Sequence, residues 1–236
     1  MNAVLSSLEF EQMFHFSAQI ARPIGNIRAN IQEHLANYFG YDETIFWFAD
    51  DNGNLRDPIN YRLSDQVLFE YLDEYHHHDF LHPRKNVDLF RRKKAIRLAD
   101  IVNDAQFKES PFYSFMEAYG YFDEMVVALI YEDSFVGVLG IAQKKERHPF
   151  TEKDRIRFQY LSDIMASCLM HQLKGEEVYP LLSKREAQVA KLVKDGCTNK
   201  EVADELYIST NTVKRHLQNI YQKYQVKNRT QLVKML

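Results

Sequence analysis

Two cysteines in 236 residues, Cys168 and Cys197, stand far apart and share no metal-ligand spacing, which excludes a disulfide framework. No apolar run is long enough to cross a bilayer, so no membrane partner is expected. Residues 1–10 lack the basic start and apolar stretch of a secretory signal, and the expected location is the cytoplasm. Eight glycines are present, yet none of them builds a glycine-rich phosphate loop. No Ser/Cys–His arrangement or acid/base pair stands out either, so no catalytic residue, cofactor or metal is expected. Net charge is small at −3, but it is unevenly spread. Residues 183–236 hold eleven Lys and Arg against five Asp and Glu, a net of +6, and leave −9 on the first 182. An acidic body carries a basic tail.

The tail announces its own helix boundaries. Ser183 with Glu186, and Thr198 with Glu201, are S/T-x-x-E capping boxes, in which the hydroxyl serves a first-turn amide and the carboxylate serves the cap residue's amide. Gly196 falls where the first of these helices must end in a left-handed residue. After a short connection, Leu206 to Ser209, a third helix begins, with Ser209 as its N-cap. Val213, Leu217, Ile220 and Tyr224 form one apolar stripe along it, and Asn211, Lys214, Arg215, Gln218 and Gln222 a polar stripe opposite. Those side chains suit guanine O6/N7 and adenine, as a helix in a major groove requires. A fourth helix opens at Asn228, with Gln231 at the capping-box position, and carries Leu232, Val233 and Leu236.

Leu182-Ser183-Lys184-Arg185-Glu186, Gly196 to Ala203, Leu206 to Ser209, Thr212 to His216, Asn219-Ile220 and Val226 to Arg229 closely resemble the LuxR-type helix-turn-helix of bacterial transcription regulators. The resemblance implies that Lys214, Arg215 and Gln218 face base edges, joined on the same stripe by Asn211. It places Asn199, Lys200, Thr210, Thr212 and His216 near phosphates, where contacts fix register rather than read sequence. It also implies a dimer contact on the fourth helix around Gln231 and Leu232. The expected partner is double-stranded DNA with a near-palindromic site, bound by a homodimer.

The length suits two domains: residues 1–173, a linker at 174–181 containing Lys174 to Glu177 and Pro180, and the helix-turn-helix at 182–236. In the body, Ile24, Ile27, Ile31, Leu35 and Phe39 mark a helix that follows a less regular one near residues 5–20. Residues 44–49 read as a strand that ends at a turn signal, Asp50 to Asn54, and residues 57–63 as its partner. Ser64 caps a helix running to about His78, residues 94–98 form a strand and residues 110–119 a short helix. Strands at 122–131 and 134–144 make a hairpin at Glu132-Asp133, and Thr151 with Asp154 opens a closing helix. This order resembles a GAF or PAS-like α/β sensor, an antiparallel sheet flanked by helices. The run Phe135 to Ile141 and the stretch Pro149 to Asp154 are most similar to GAF domains.

Other partners of a LuxR-type tail fit less well. Tyr75 and Asp79 match the Tyr-x-x-x-Asp of acyl-homoserine-lactone receptors, but the Trp and Tyr expected thirteen and nine residues before the Asp fall on Gln66 and Glu70, and Phe80 replaces the Pro after it. A phosphoreceiver needs parallel βα alternation, whereas Asp50-Asp51 leads into a hairpin. His76, His77, His78, Asp79 and His82 suggest a metal site, but consecutive helical side chains point 100° apart, so a solvated helix end is the favoured reading, with a His78–His82 pair as the alternative. Arg91 to Lys94 reads as a solvated flank. Aromatic residues are dense between Phe107 and Phe122, and with Trp47 and Tyr61 they either line an apolar pocket or make ordinary core. The candidate pocket residues are Trp47, Tyr61, Phe115 and Tyr119, and the ligand they imply is small and apolar. A ligand-independent regulator and a protein-binding scaffold are the remaining alternatives.

Overall fold

Ser6 and Glu9 close a reciprocal capping box that opens α1 (Ser7–Ile20) in the computed structural model, which describes residues 4–22, 25–177 and 181–235. Ile24, Pro180 and Leu236, all counted in the sequence patterns, lie outside the described residues. The chain divides into two compact units, Met1–Met170 and His171–Leu236.

In the first unit Asn26 caps α2 (Ile27–Phe39), and the turn at Asp50 to Asn54 joins β1 (Glu43–Ala49) to β2 (Leu55–Tyr61). Asp50 Oδ1 accepts the amides of Asn52 and Asn54, each at 3.0 Å, which fixes that turn. Gly53 sits in it at φ +74 with its open side against the backbone of Pro83 and Arg84, where a Cβ would come within 2.6 Å. The elements α3 (Asp65–Asp73), α4 (Pro83–Arg92), β3 (Ala95–Arg97), α5 (Asp104–Lys108) and α6 (Pro111–Ala118) follow. The hairpin of β4 (Tyr121–Tyr131) and β5 (Ser134–Lys144) comes next, then α7 (Glu152–Glu177). Glu132 and Asp133, at φ +48 and +68, make the hairpin turn, both in the left-handed region that matches strand twist.

Several details differ from the sequence reading. The helix after Ser64 stops at Asp73, because Glu74 leaves helical geometry (φ −126, ψ −48), and a separate 3-10 turn covers Tyr75–His77. Helices α4 and α5 were not legible. The first starts at Pro83 under a histidine cap, His82 Nδ1 accepting the Arg84 amide at 3.2 Å, and is distorted at Asn86. His82 is therefore a buried cap, not part of a solvated end; burial and the nearby cationic groups push its pKa down to about 4. Arg91 is likewise engaged, donating to Asp51 at 3.1 Å and to the Asp133 carbonyl at 2.6 Å.

The five strands form one antiparallel sheet in the order β2-β1-β5-β4-β3. Pleating sends alternate side chains to opposite faces. One face meets α2 and α7. Gln32, fully buried on α2, donates to the Thr44 carbonyl, the Thr44 hydroxyl and the Ile59 carbonyl at 3.0–3.1 Å, and Gly137 lies against Phe46 and Leu169. Buried Arg157 of α7 bonds the Tyr41 hydroxyl at 2.5 Å, Asp154 at 2.9 Å and Glu9 at 3.2 Å, which fastens α1 to the same layer. On the other face Trp47, Val126, Ala128 and Val138 share one core with Val67, Leu81, Phe112, Phe115 and Met116 from the helices inserted between β2 and β4. The expected sensor architecture is present.

The second unit adds α8 (Lys184–Lys194), α9 (Asn199–Glu205), α10 (Thr210–Tyr224) and α11 (Arg229–Met235), as the tail pattern indicates. Its core joins Val189 and Val193 of α8, Val202 of α9, Val213, Leu217 and Ile220 of α10 and Leu232 of α11, all of them buried.

Candidate DNA-binding face and sensor cavity

Both tail capping boxes close. Ser183 and Glu186 exchange their two bonds, as do Thr198 and Glu201, and Ser209 Oγ accepts the Thr212 amide at 3.1 Å to start α10. Gly196, at φ +90, ends α8 in a Schellman arrangement: its amide reaches the Val193 carbonyl and the Cys197 amide reaches that of Leu192. The same pattern ends α9 on Tyr207, a non-glycine at φ +52. Asn228 Oδ1 accepts the Gln231 amide at 2.9 Å, but the Gln231 side chain turns one residue further back, to the Lys227 amide at 2.8 Å.

Three of the basic residues make bonds that hold the unit together. Arg185 donates to the Leu206 carbonyl at 2.7 Å, linking α8 to the end of α9. Arg229 reaches the Cys197 carbonyl and Asn199 Oδ1, linking α11 to the α8–α9 turn. Lys223 of α10 pairs with Glu186 at 2.6 Å. Burial alone would raise the Glu186 carboxyl, but the Lys223 ammonium and the Ser183 amide and hydroxyl outweigh it and hold it down to about 2.

With Val213, Leu217 and Ile220 turned inward, Asn211, Lys214, Arg215, Gln218 and Gln222 are all exposed along the opposite side of α10. Thr210 and Lys200 are exposed at the starts of α10 and α9, and His216 is half-buried. Lys200, Lys214 and Arg215 form no side-chain hydrogen bond or ion pair among the described residues. Two expected phosphate contacts have internal partners: Asn199 accepts from Arg229 at 3.4 Å, and the Thr212 hydroxyl meets that of Ser209 at 2.9 Å.

In the first unit a cavity of about 70 Å³ lies between the sheet and the inserted helices. Ile45, Trp47, Val126 and Val138 line its sheet side, with Phe112, Phe115 and Met116 opposite. Of the four candidate pocket residues, Trp47 and Phe115 line it, but Tyr61 and Tyr119 do not. Tyr61 pairs with Thr44 in the β1–β2 ladder, and cross-strand partners share a face, so it belongs to the α2 side. Tyr119 stands behind Phe115, edge to face with ring centroids 5.6 Å apart, and its hydroxyl is on Glu70.

Three polar residues also line the cavity: Asp79, which the sequence marked through its Tyr-x-x-x-Asp match, and Tyr71 and Glu124, which the sequence reading did not select. Asp79 accepts the Tyr71 hydroxyl at 2.8 Å and the Leu81 amide at 2.7 Å. Glu124 Oε2 is buried and has no partner among the described residues. Burial raises the pKa of both carboxyls, and Asp79 and Asp123 nearby raise that of Glu124 further. The signal for Tyr71 was its position eight residues before Asp79, one away from the offset expected of a lactone receptor. Among the described residues no His/Cys/Asp/Glu group could hold a metal ion, and no helix is long and apolar enough to cross a membrane.

A cavity-bearing sheet domain followed by this helical unit defines a sensor and DNA-binding class of architecture. The chain belongs to the GAF domain family, which it matches over residues 25–169, and its residues 180–236 match the bacterial regulatory proteins of the luxR family. It is 37% identical over 86 residues to the monoamine regulon transcriptional regulator of Klebsiella aerogenes, covering 36% of this chain and 38% of that protein. It is 50% identical over 54 residues to the spore germination protein GerE of Bacillus subtilis (strain 168), covering 23% of this chain and 73% of that one. The chain spans less than two fifths of the length of the Klebsiella regulator. Its fold is similar to the crystal structure of Escherichia coli SdiA, at 19% identity and a TM-score of 0.50, over 96% of this chain and 95% of SdiA. A second SdiA structure, in complex with octanoyl-rac-glycerol, has 18% identity and a TM-score of 0.51, over 98% and 96%.

The depressed Glu186 pKa has a consequence for acid stability. A carboxyl held below its ordinary value of 4.5 contributes stability that is present above that value and is lost as pH falls through about 2. Amide hydrogen exchange in α8 and α10 of the full chain should lose protection over that window, and Glu186→Gln should lower protection at pH 7 while flattening the acid loss. Parallel losses in both proteins would show that the Lys223–Glu186 pair carries none of it.

Proposed function

We propose that this protein is a sequence-specific transcription regulator that binds near-palindromic double-stranded DNA as a homodimer and is controlled by a small molecule in the sheet cavity. The observation that carries the DNA reading is the row Asn211, Lys214, Arg215, Gln218 and Gln222, exposed on a helix whose other side is locked into a core. Donors and amides at that spacing can read base edges from a major groove. Lys200, Thr210 and His216, and the Asn199 and Thr212 side chains through their outward atoms, serve phosphates and set register.

One such helix reads too few base pairs for selectivity, so two copies reading two half-sites are required. Two surfaces suit the dimer. One is α11, where Val233 and Met235 are exposed beside Gln231; the other is the outer side of α1 and α7, where Phe10, Phe14 and Tyr160 are exposed. Neither is large alone, and stable association needs more than about 1,000 Å². The cavity supplies the sensor: an apolar chamber with a few convergent polar groups is the usual form of a small-ligand site. A GAF architecture, and a fold similar to that of SdiA in complex with octanoyl-rac-glycerol, support that assignment. Cytoplasmic location follows from this role.

Lys214→Ala, Arg215→Ala and Gln218→Ala should each alter base preference by about 1–3 kcal/mol where the contact is bidentate. Lys200→Ala should weaken all sequences alike and reduce the salt slope by about one unit. Quantitative binding to a set of single-base operator variants at several salt concentrations checks this; equal loss of specificity in both groups of mutants would refute the assignment of the reading face. Sedimentation of residues 1–173 tests the second dimer surface. A concentration-dependent dimer is expected, and a strict monomer at high concentration would confine association to the tail.

A further inference from the structure

Glu124 occupies a position where the fold asks for an apolar side chain. It lies on β4 two residues before Val126 and four before Ala128, both of which point into the same core, and opposite Ala142 on β5. Its neighbours on the cavity wall are Ile45, Gly140 and Ala142. The absence of side-chain bulk at Gly140 leaves room for the carboxyl, since even a Cβ there would stay 3.9 Å from Oε1. Among the described residues nothing repays this placement: Oε2 is buried with no hydrogen-bond partner. A buried polar atom left unmet is costly, and groups of that kind point to a ligand, an ion or a strain with a use.

The second carboxyl of the chamber is differently placed. Asp79 already has a donor on each oxygen, Tyr71 on one and the Leu81 amide on the other, so its charge is oriented but still lies in the same apolar space. Facing these two groups are the Tyr71 hydroxyl and the rings of Trp47, Phe112 and Phe115. The nearest cations do not enter: Lys85 Nζ is held by the backbone carbonyls of His77 and Asp79, and the His82 ring is a helix cap kept neutral by burial. Asp123 is turned to the Phe150 amide, at 2.7 Å, on the other side of the strand. Among the described residues the chamber thus holds two acids and no base, within walls that suit an alkyl or aryl body.

We propose that the cavity ligand is a compact organic cation, a protonated primary amine on a short apolar body, with its ammonium seated on Glu124 and against Asp79. The proposal rests on the reading of this cavity as the sensor site. An ammonium brings three donors, enough for the open Glu124 oxygen and its neighbours, and gains further from an aromatic face. Without ligand, Glu124 keeps a proton that the unfolded chain would release, and Asp79 keeps one only below about pH 6. Their contribution to stability is therefore full below the ordinary carboxylate range and falls as pH rises through their raised values. A bound ammonium replaces a proton, so binding releases a proton and tightens as pH rises, up to the range where the amine itself loses its charge.

The test uses the full chain with butylamine and hexylamine, and with butanol and hexanol as neutral matches, by titration calorimetry in two buffers of different ionisation enthalpy. The amines should bind at least about tenfold more tightly than their alcohols at pH 8, with proton release and weaker binding at pH 5.5. Glu124→Gln should remove at least about tenfold of the amine affinity and leave the alcohols unchanged. Glu124→Leu, which removes the unmet group altogether, should melt at a higher temperature than the natural protein when no ligand is present, and guards against a result due to misfolding. Alcohols binding as well as amines, amine affinity indifferent to Glu124→Gln, or no binding by either series would overturn the proposal. DNA affinity measured alongside separates it from the sensor reading. An amine that binds in this manner without changing DNA affinity would leave the site standing and remove the control, whereas DNA affinity that responds to the alcohols alone would do the reverse.

Discussion

Burial of one stripe of α10 against α8 and α9 determines what the tail can present to a partner. Val213, Leu217 and Ile220 have accessible places only in the core formed with Val189, Val193 and Val202, and helix geometry then turns Lys214, Arg215 and Gln218 outward. The bonds around this core act in the same sense. Arg185, Lys223 and Arg229 each span two elements, so part of the positive charge in the tail holds α10 in place. A count of basic residues therefore overstates the charge left for a partner by at least those three.

The sensor unit follows a similar rule on a different period. Strand pleating divides β1, β4 and β5 between a face closed by α2 and α7 and a face roofed by the helices between β2 and β4. On the closed face the Gln32 Nε2 amide bonds β1 and β2, while Gln32 Oε1 and Arg157 Nε are buried with no partner among the described residues. On the roofed face satisfaction is incomplete at Glu124, and small residues at Gly140 and Ala142 leave space beside it. Incomplete packing and an unmet acid occur at one place, which is the physical basis for assigning a ligand there.

Features set by residues within four positions of one another were legible from the sequence. The caps at Ser183, Thr198 and Ser209, the left-handed end at Gly196 and the hairpin at Glu132-Asp133 all depend on local chemistry. Features set by tertiary contacts were not. Helix α4 is started by a histidine ring and distorted at Asn86, so its apolar period is broken. The direction of Glu124 depends on register with Ala142, because Asp123 beside it is equally acidic and points the other way. Tyr61 was misassigned for the same reason, because its face follows from pairing with Thr44 rather than from its own aromatic character.

The central claim is that the outer row of α10 reads DNA sequence. Selection of bound duplexes from a random-sequence pool by the full chain, with and without Arg215→Ala, tests it most directly. Enrichment of a near-palindrome by the natural protein, with the variant losing preference at one matched position in each half-site, is the predicted result. Recovery of duplexes without sequence enrichment by the natural protein would contradict it.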